Sequence, residues 1–109
     1  MTYQFDLTFS NCSSRNVQLT SKDSSKMDFI VGSRFRASNC SRIELRKDKI
    51  VFDPQDASQD VNMTVYFEVT ASGTDVVSFD LQHCSKLDYV LDEDVEKEVG
   101  GGTFSVRLS

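Results

Sequence analysis

Three cysteines, a single histidine and three Asn-x-Ser/Thr sequons are the residues of this chain whose types could do chemistry. The cysteines stand at 12, 40 and 84, and the first two lie in the same tetrapeptide, Ser-Asn-Cys-Ser, at 10–13 and 38–41. Such a set could hold zinc, form a disulfide, or supply a thiolate with a histidine base. Zinc calls for closely spaced cysteine pairs, and the sequence has none. A dyad of His83 and Cys84 needs both side chains on one face, whereas neighbours on a strand leave opposite faces. The odd count and wide spacing make three free thiols the expectation; if one bridge forms, the matched motifs favour Cys12–Cys40. His83 continues the alternation of Val77, Phe79 and Leu81, which places it at the inward edge of the core.

The sequons are Asn11, Asn39 and Asn62, the first two in expected turns and the third pointing outward from a strand. They become acceptors only in a secreted chain. The opening segment MTYQFDLTFS has neither the basic nor the apolar region of a signal peptide. A cytoplasmic protein is therefore expected if Met1 is the native start, and secretion stays open if it is not.

Charge is uneven along the chain. Between Arg34 and Lys49 lie six of the twelve basic residues, opposed by Glu44 and Asp48. Arg34 and Arg36 would share one strand face, and Arg42, Glu44 and Arg46 another. Guanidinium forks spaced in this way can take a phosphate, sulfate or carboxylate. With the outward-facing Tyr66, residues Arg34, Arg36, Arg42 and Arg46 form the candidate binding set. Six acids fall between Lys86 and Glu98, and the two opposite blocks could pair between copies as a weak homo-oligomer. Asp53, Asp56 and Asp60 crowd one loop and are the candidate calcium ligands, although the loop lacks the central Gly and closing Glu of a calcium hand. No cofactor is expected. A net charge of −5 and a pI near 4.7 argue against nucleic acid as a partner, and no apolar run reaches the ~20 residues of a membrane span. Gly100–Gly102 precedes a strand and not a helix, so it reads as a turn or bulge and not as a phosphate cradle. No GxSxG or HExxH motif is present, and no enzyme is expected.

The elements that would carry these residues show period-two alternation. Tyr3–Phe9, Val61–Thr70, Val77–Leu81 and Phe104–Leu108 are the strongest strands. Asn16–Thr20, Met27–Val31, Ser33–Ala37, Tyr89–Leu91 and a hairpin over Arg42–Phe52, turning at Lys47-Asp48, are weaker ones. Asp92–Val99 is the sole segment with a helical reading, and it is short and polar. Residues 1–109 are thus expected to form one all-β domain, an antiparallel β-sandwich of about seven to nine short strands, with a barrel as the alternative. The function expected of it is recognition of another macromolecule, a protein or glycan, through loops or the arginine-rich face. The alternatives are a lectin-like carbohydrate- or lipid-binding domain, with or without calcium, and a structural subunit of an assembly.

Overall fold

The computed structural model describes the backbone of residues 2–91 and 95–108, with side chains for all of these but 95–98. The chain forms β1 (Thr2–Cys12), β2 (Val17–Ser21), β3 (Met27–Phe29), β4 (Arg36–Ser38), β5 (Cys40–Leu45), β6 (Lys49–Pro54), β7 (Val61–Val69), β8 (Val76–Leu91) and β9 (Val95–Arg107). All pairings are antiparallel within a single sheet, ordered β3-β7-β1-β8-β2-β6-β5, with β4 beside β7 and β9 beside β8.

Register explains how one sheet makes a two-layered body. The second half of β8, Cys84–Leu91, pairs with β1, and its first half, Phe79–Gln82, pairs with β2. β1 and β2 therefore follow one another along the same edge of β8. Beyond them β7 flanks β1 and β6 flanks β2, and β4 and β5, separated only by Asn39, flank β7 and β6 in turn. Each line of the sheet is thus broken at one common level, between Ser13 and Asn16, at Asn39, between Gln55 and Asp60, at His83 and at the glycines of β9. Four residues at this level with side chains, Asn11, Asn16, Asn39 and His83, have φ of 56, 57, 62 and 69°, as does Gly102 at 115°. Asn tolerates that left-handed region better than most residues.

The belt of breaks folds the sheet back on itself. Phe79 and Tyr89 are ten residues apart on β8, roughly 33 Å in a straight strand. Both rings nevertheless lie 5.5 Å from that of Phe5. The interior between the halves is a continuous aromatic cluster in which Phe79 also meets Phe29, Phe67 and Phe104. At the far edge the Phe29 N–H donates to the Lys47 carbonyl at 2.6 Å, joining β3 to the β5–β6 hairpin, so the sheet comes close to closing as a barrel. The expected all-β antiparallel class is found, as one nearly closed, barrel-like sheet of nine strands.

Inward positions follow the alternation: Phe5, Leu7 and Phe9, then Val61, Met63, Val65 and Phe67, then Val77, Phe79 and Leu81, are all buried. The hairpin turns at Lys47-Asp48 as expected, with the Arg46 N–H on the Lys49 carbonyl at 2.9 Å. Three expectations are corrected. Ser33–Ala37 is strand only from Arg36, because residues 32–35 turn, with the Phe35 N–H on the Gly32 carbonyl. The helical reading of Asp92–Val99 fails from Val95 onward, where the backbone belongs to β9 and pairs with β8; residues 92–94 lie outside the described residues. His83 is exposed and not at the inward edge, because the β8–β9 register shifts between Leu81 and Lys86 and reverses the alternation there.

The glycine run of β9 is the other side of that bulge. A Cβ on Gly101 would sit 2.6 Å from the Cys84 carbonyl oxygen. Backbone cannot swing away as a flexible side chain can, so Gly101→Ala is expected to lower stability by about 2 kcal/mol. Gly32→Ala, with open space around it, should be near neutral. Thermal melts of the two variants that coincide would contradict the close approach. Among the described residues no helix is long and apolar enough to cross a membrane.

Candidate functional site

The cysteines are not all free. Cys12 and Cys84 stand opposite each other in the β1–β8 register, 4.1 Å apart at Cα, and are joined as a disulfide. This corrects both expectations, three free thiols and Cys12–Cys40. The left-handed residues Asn11 and His83 each precede a cysteine and turn it inward, where Cys12 and Cys84 are 5% and 6% exposed. The Ser13 N–H completes the junction on the His83 carbonyl at 2.8 Å. In the second Ser-Asn-Cys-Ser copy Asn39 makes the same turn between β4 and β5, and Cys40 packs half-buried against the core without a bridge. The repeated motif is a kink for a strand crossing the belt. Burial pushes the Cys40 thiol up to about 11. Titration in denaturant without reductant should therefore find one thiol per chain. In the native protein at pH 8 that thiol should react roughly 10²-fold more slowly than free cysteine. His83 points outward and the Cys84 sulfur is bridged, so no Cys–His dyad forms.

Two of the candidate arginines are committed to internal ion pairs. The Arg42 Nε donates to Asp53 Oδ2 at 3.0 Å and its Nη1 to Glu44 Oε1 at 3.2 Å, while its Nη2 donates to Asn16 Oδ1. Arg46 reaches the other oxygen of Glu44 at 3.3 Å. The expected shared face of Arg42, Glu44 and Arg46 exists, but as a neutralised network across β5 and β6. The Arg42 guanidinium, followed by the Asn16 N–H, holds the Asp53 carboxyl below its usual range. A carboxylate depressed in the fold stabilises it above its unfolded pKa near 4 and loses that contribution as pH falls. Asp53→Asn should accordingly melt lower at pH 7 and flatten the acid limb of the stability profile below about pH 4. An unchanged acid limb would mean that the pair is not formed in solution.

The calcium candidates do not converge. Asp53 is held by Arg42, Asp56 accepts from the N–H and hydroxyl of Ser58, and Asp60 contributes its backbone carbonyl to Asn39. Among the described residues no three His, Cys, Asp or Glu side chains gather to hold a metal ion.

What organises that loop is an asparagine. The Asn39 Nδ2 donates to the carbonyls of Asp56, Gln59 and Asp60 at 2.9, 3.2 and 3.3 Å, and its Oδ1 accepts the Asp56 N–H at 2.9 Å. Asn62 is exposed and its Oδ1 accepts from the Thr8 hydroxyl at 2.9 Å. Asn11 is exposed.

The remaining candidates meet at the opposite end of β7. Arg34 sits on the turn after β3, with its guanidinium 4.1 Å above the centre of the Tyr66 ring. The Tyr66 hydroxyl donates to Gln4 Oε1 at 3.4 Å, which fixes the ring on the outward face. Arg36 does not join Arg34 in a strand ribbon. It turns back to donate from Nη1 to the carbonyls of Ser33 and Phe35, at 2.6 and 2.8 Å, and so clips the turn that presents Arg34. Arg34 and Tyr66 line a cavity of about 200 Å³ with Ile30, Phe35 and Thr2. Ile30 and the adjacent Val31 are 38% and 64% exposed, the large apolar side chains most open to solvent among the described residues. Sequence reading passed over Ile30, Val31 and Phe35. The available signal was Ile30, an apolar residue out of phase with the inward Met27 and Phe29. Comparison with protein-family models, with curated proteins and with solved structures finds no match for the chain.

Proposed function

We propose that this chain is a non-enzymatic binding domain that docks an acidic, partly apolar segment of another protein at the Arg34–Tyr66 cavity. The observation that carries this reading is a guanidinium held over an aromatic ring, with no carboxylate within ion-pair distance among the described residues, at the mouth of an apolar cavity. A cation on a ring next to exposed apolar side chains suits a ligand with a carboxylate beside an apolar group. Arg42 and Arg46, by contrast, already have their counter-charges. The guanidinium also covers one face of Tyr66, which leaves less ring for a stacked sugar and weakens the lectin alternative. The Cys12–Cys84 bridge supports an oxidising compartment, the secreted branch of the localisation expectation.

Selection from a displayed random-peptide library tests the reading. Enriched peptides should carry Asp or Glu next to aliphatic or aromatic residues, and Arg34→Glu should weaken them at least about tenfold. Peptides without acidic residues, or binding indifferent to Arg34→Glu, would rule it out.

A further inference from the structure

We propose that the protein exported through a glycosylating pathway carries N-linked glycans on Asn11 and Asn62 and none on Asn39. The three sequons look equivalent in sequence, and the fold makes them unequal. In N-glycosylation the Asn Nδ2 attacks the anomeric carbon of a polyisoprenyl-diphosphate oligosaccharide. The N–C bond forms, the bond from that carbon to the phosphate oxygen breaks, the diphosphate leaves with the electron pair, and one amide proton is released. The modified amide keeps a single N–H and bears a bulky group on nitrogen.

At Asn39 that change is incompatible with the fold. Its Nδ2 holds three carbonyls of the 55–60 loop, and its Oδ1 holds the Asp56 N–H. One remaining N–H cannot serve three acceptors, and a sugar on Nδ2 occupies the space those carbonyls fill. Chains modified at Asn39 would leave the β6–β7 connection open and be lost from the folded population. At Asn62 the opposite holds. Only the Oδ1 is used, accepting from Thr8 at 2.9 Å, and a glycan leaves that bond intact. Asn11 is exposed on the belt, and its amide makes no hydrogen bond among the described residues. The Cys12–Cys84 bridge independently points to an oxidising, exported setting. Asn62 lies four residues from Tyr66 on the same outward face, about 13 Å away, so its glycan stands beside the Arg34 cavity and does not fill it. Neither inference depends on the other.

The test is secretion of the full chain from eukaryotic cells, followed by intact-mass measurement of the fraction that shows one free thiol. Sequon knockouts at the hydroxyl position spare the asparagines: Ser13→Ala for Asn11, Ser41→Ala for Asn39 and Thr64→Ala for Asn62. Wild type should carry two glycans, Ser13→Ala and Thr64→Ala one each, and Ser41→Ala still two. A lost glycan in Ser41→Ala, or fewer than two glycans on the wild type, would overturn the proposal.

Discussion

Replacing Cys12 and Cys84 together by alanine is expected to destabilise the protein by about 4 kcal/mol and to lower its melting temperature by roughly 20 °C. The bridge spans 72 residues of sequence, and a cross-link over so long a loop removes much of the freedom of the unfolded chain. Both sulfurs lie in the core, so alanine strands no polar group there. The effect should appear as a shift in denaturation midpoint under non-reducing conditions, and wild type in strong reductant should move the same way. Cys40→Ala removes only a half-buried side chain and should shift the midpoint far less. A double variant that melts within a few degrees of wild type would mean that the bridge does not hold the two lines of the sheet together.

Phe79→Ala should have a comparable effect, about 3–5 kcal/mol, through a different cause. The side chain is fully buried, and its ring lies 5.5 Å from Phe5, 6.0 Å from Phe29 and 5.5 Å from Phe104. These neighbours come from β1, β3 and β9, on both halves of the folded sheet. Truncation leaves a cavity that four strands would have to move to fill, so relaxation should be slight. Phe79→Leu should recover much of the loss. If alanine costs less than about 1 kcal/mol by chemical denaturation, the two halves do not pack as described.

How much of this was legible depended on whether a signal was local. Alternation along Tyr3–Phe9 and Val61–Val69 is written into consecutive residues, and the buried faces follow it directly. The positions misread are those where the phase slips. Inward residues run 5, 7, 9 and then 12 on β1, and 79, 81 and then 84 on β8. Each slip marks a kink, and each ends on a cysteine. Read as one extended pattern, β8 put His83 inward and Cys84 outward, which hid the bridge. The partnership of Cys12 and Cys84 rests on a β1–β8 register that no local pattern encodes. The Arg34 site was half legible: Arg34 and Tyr66 both stand in the candidate set, but their contact, the turn at 32–35 and the clip from Arg36 are tertiary facts. The calcium candidates stay apart because closeness in sequence does not aim carboxylates at one point: Asp53 is taken by Arg42 and Asp56 by Ser58.

The pairing of β1 has a consequence for how the protein is made. Its neighbours are β7 and β8, so Thr2 waits for Glu68 and Phe5 for Leu91 before either finds its place. Contacts this distant in sequence make folding slow, in the range of milliseconds to seconds. On a ribosome β1 emerges long before either of its partners, and it carries Cys12. Cys40 follows Cys12 by 28 residues, well before Cys84 appears. The growing chain therefore offers Cys12 the wrong partner first, and the native bridge must be reached by delay or by thiol–disulfide exchange. Kinked into β5 and half-buried, Cys40 is withdrawn from that exchange once the sheet closes, which makes completion of the fold the step that ends the choice.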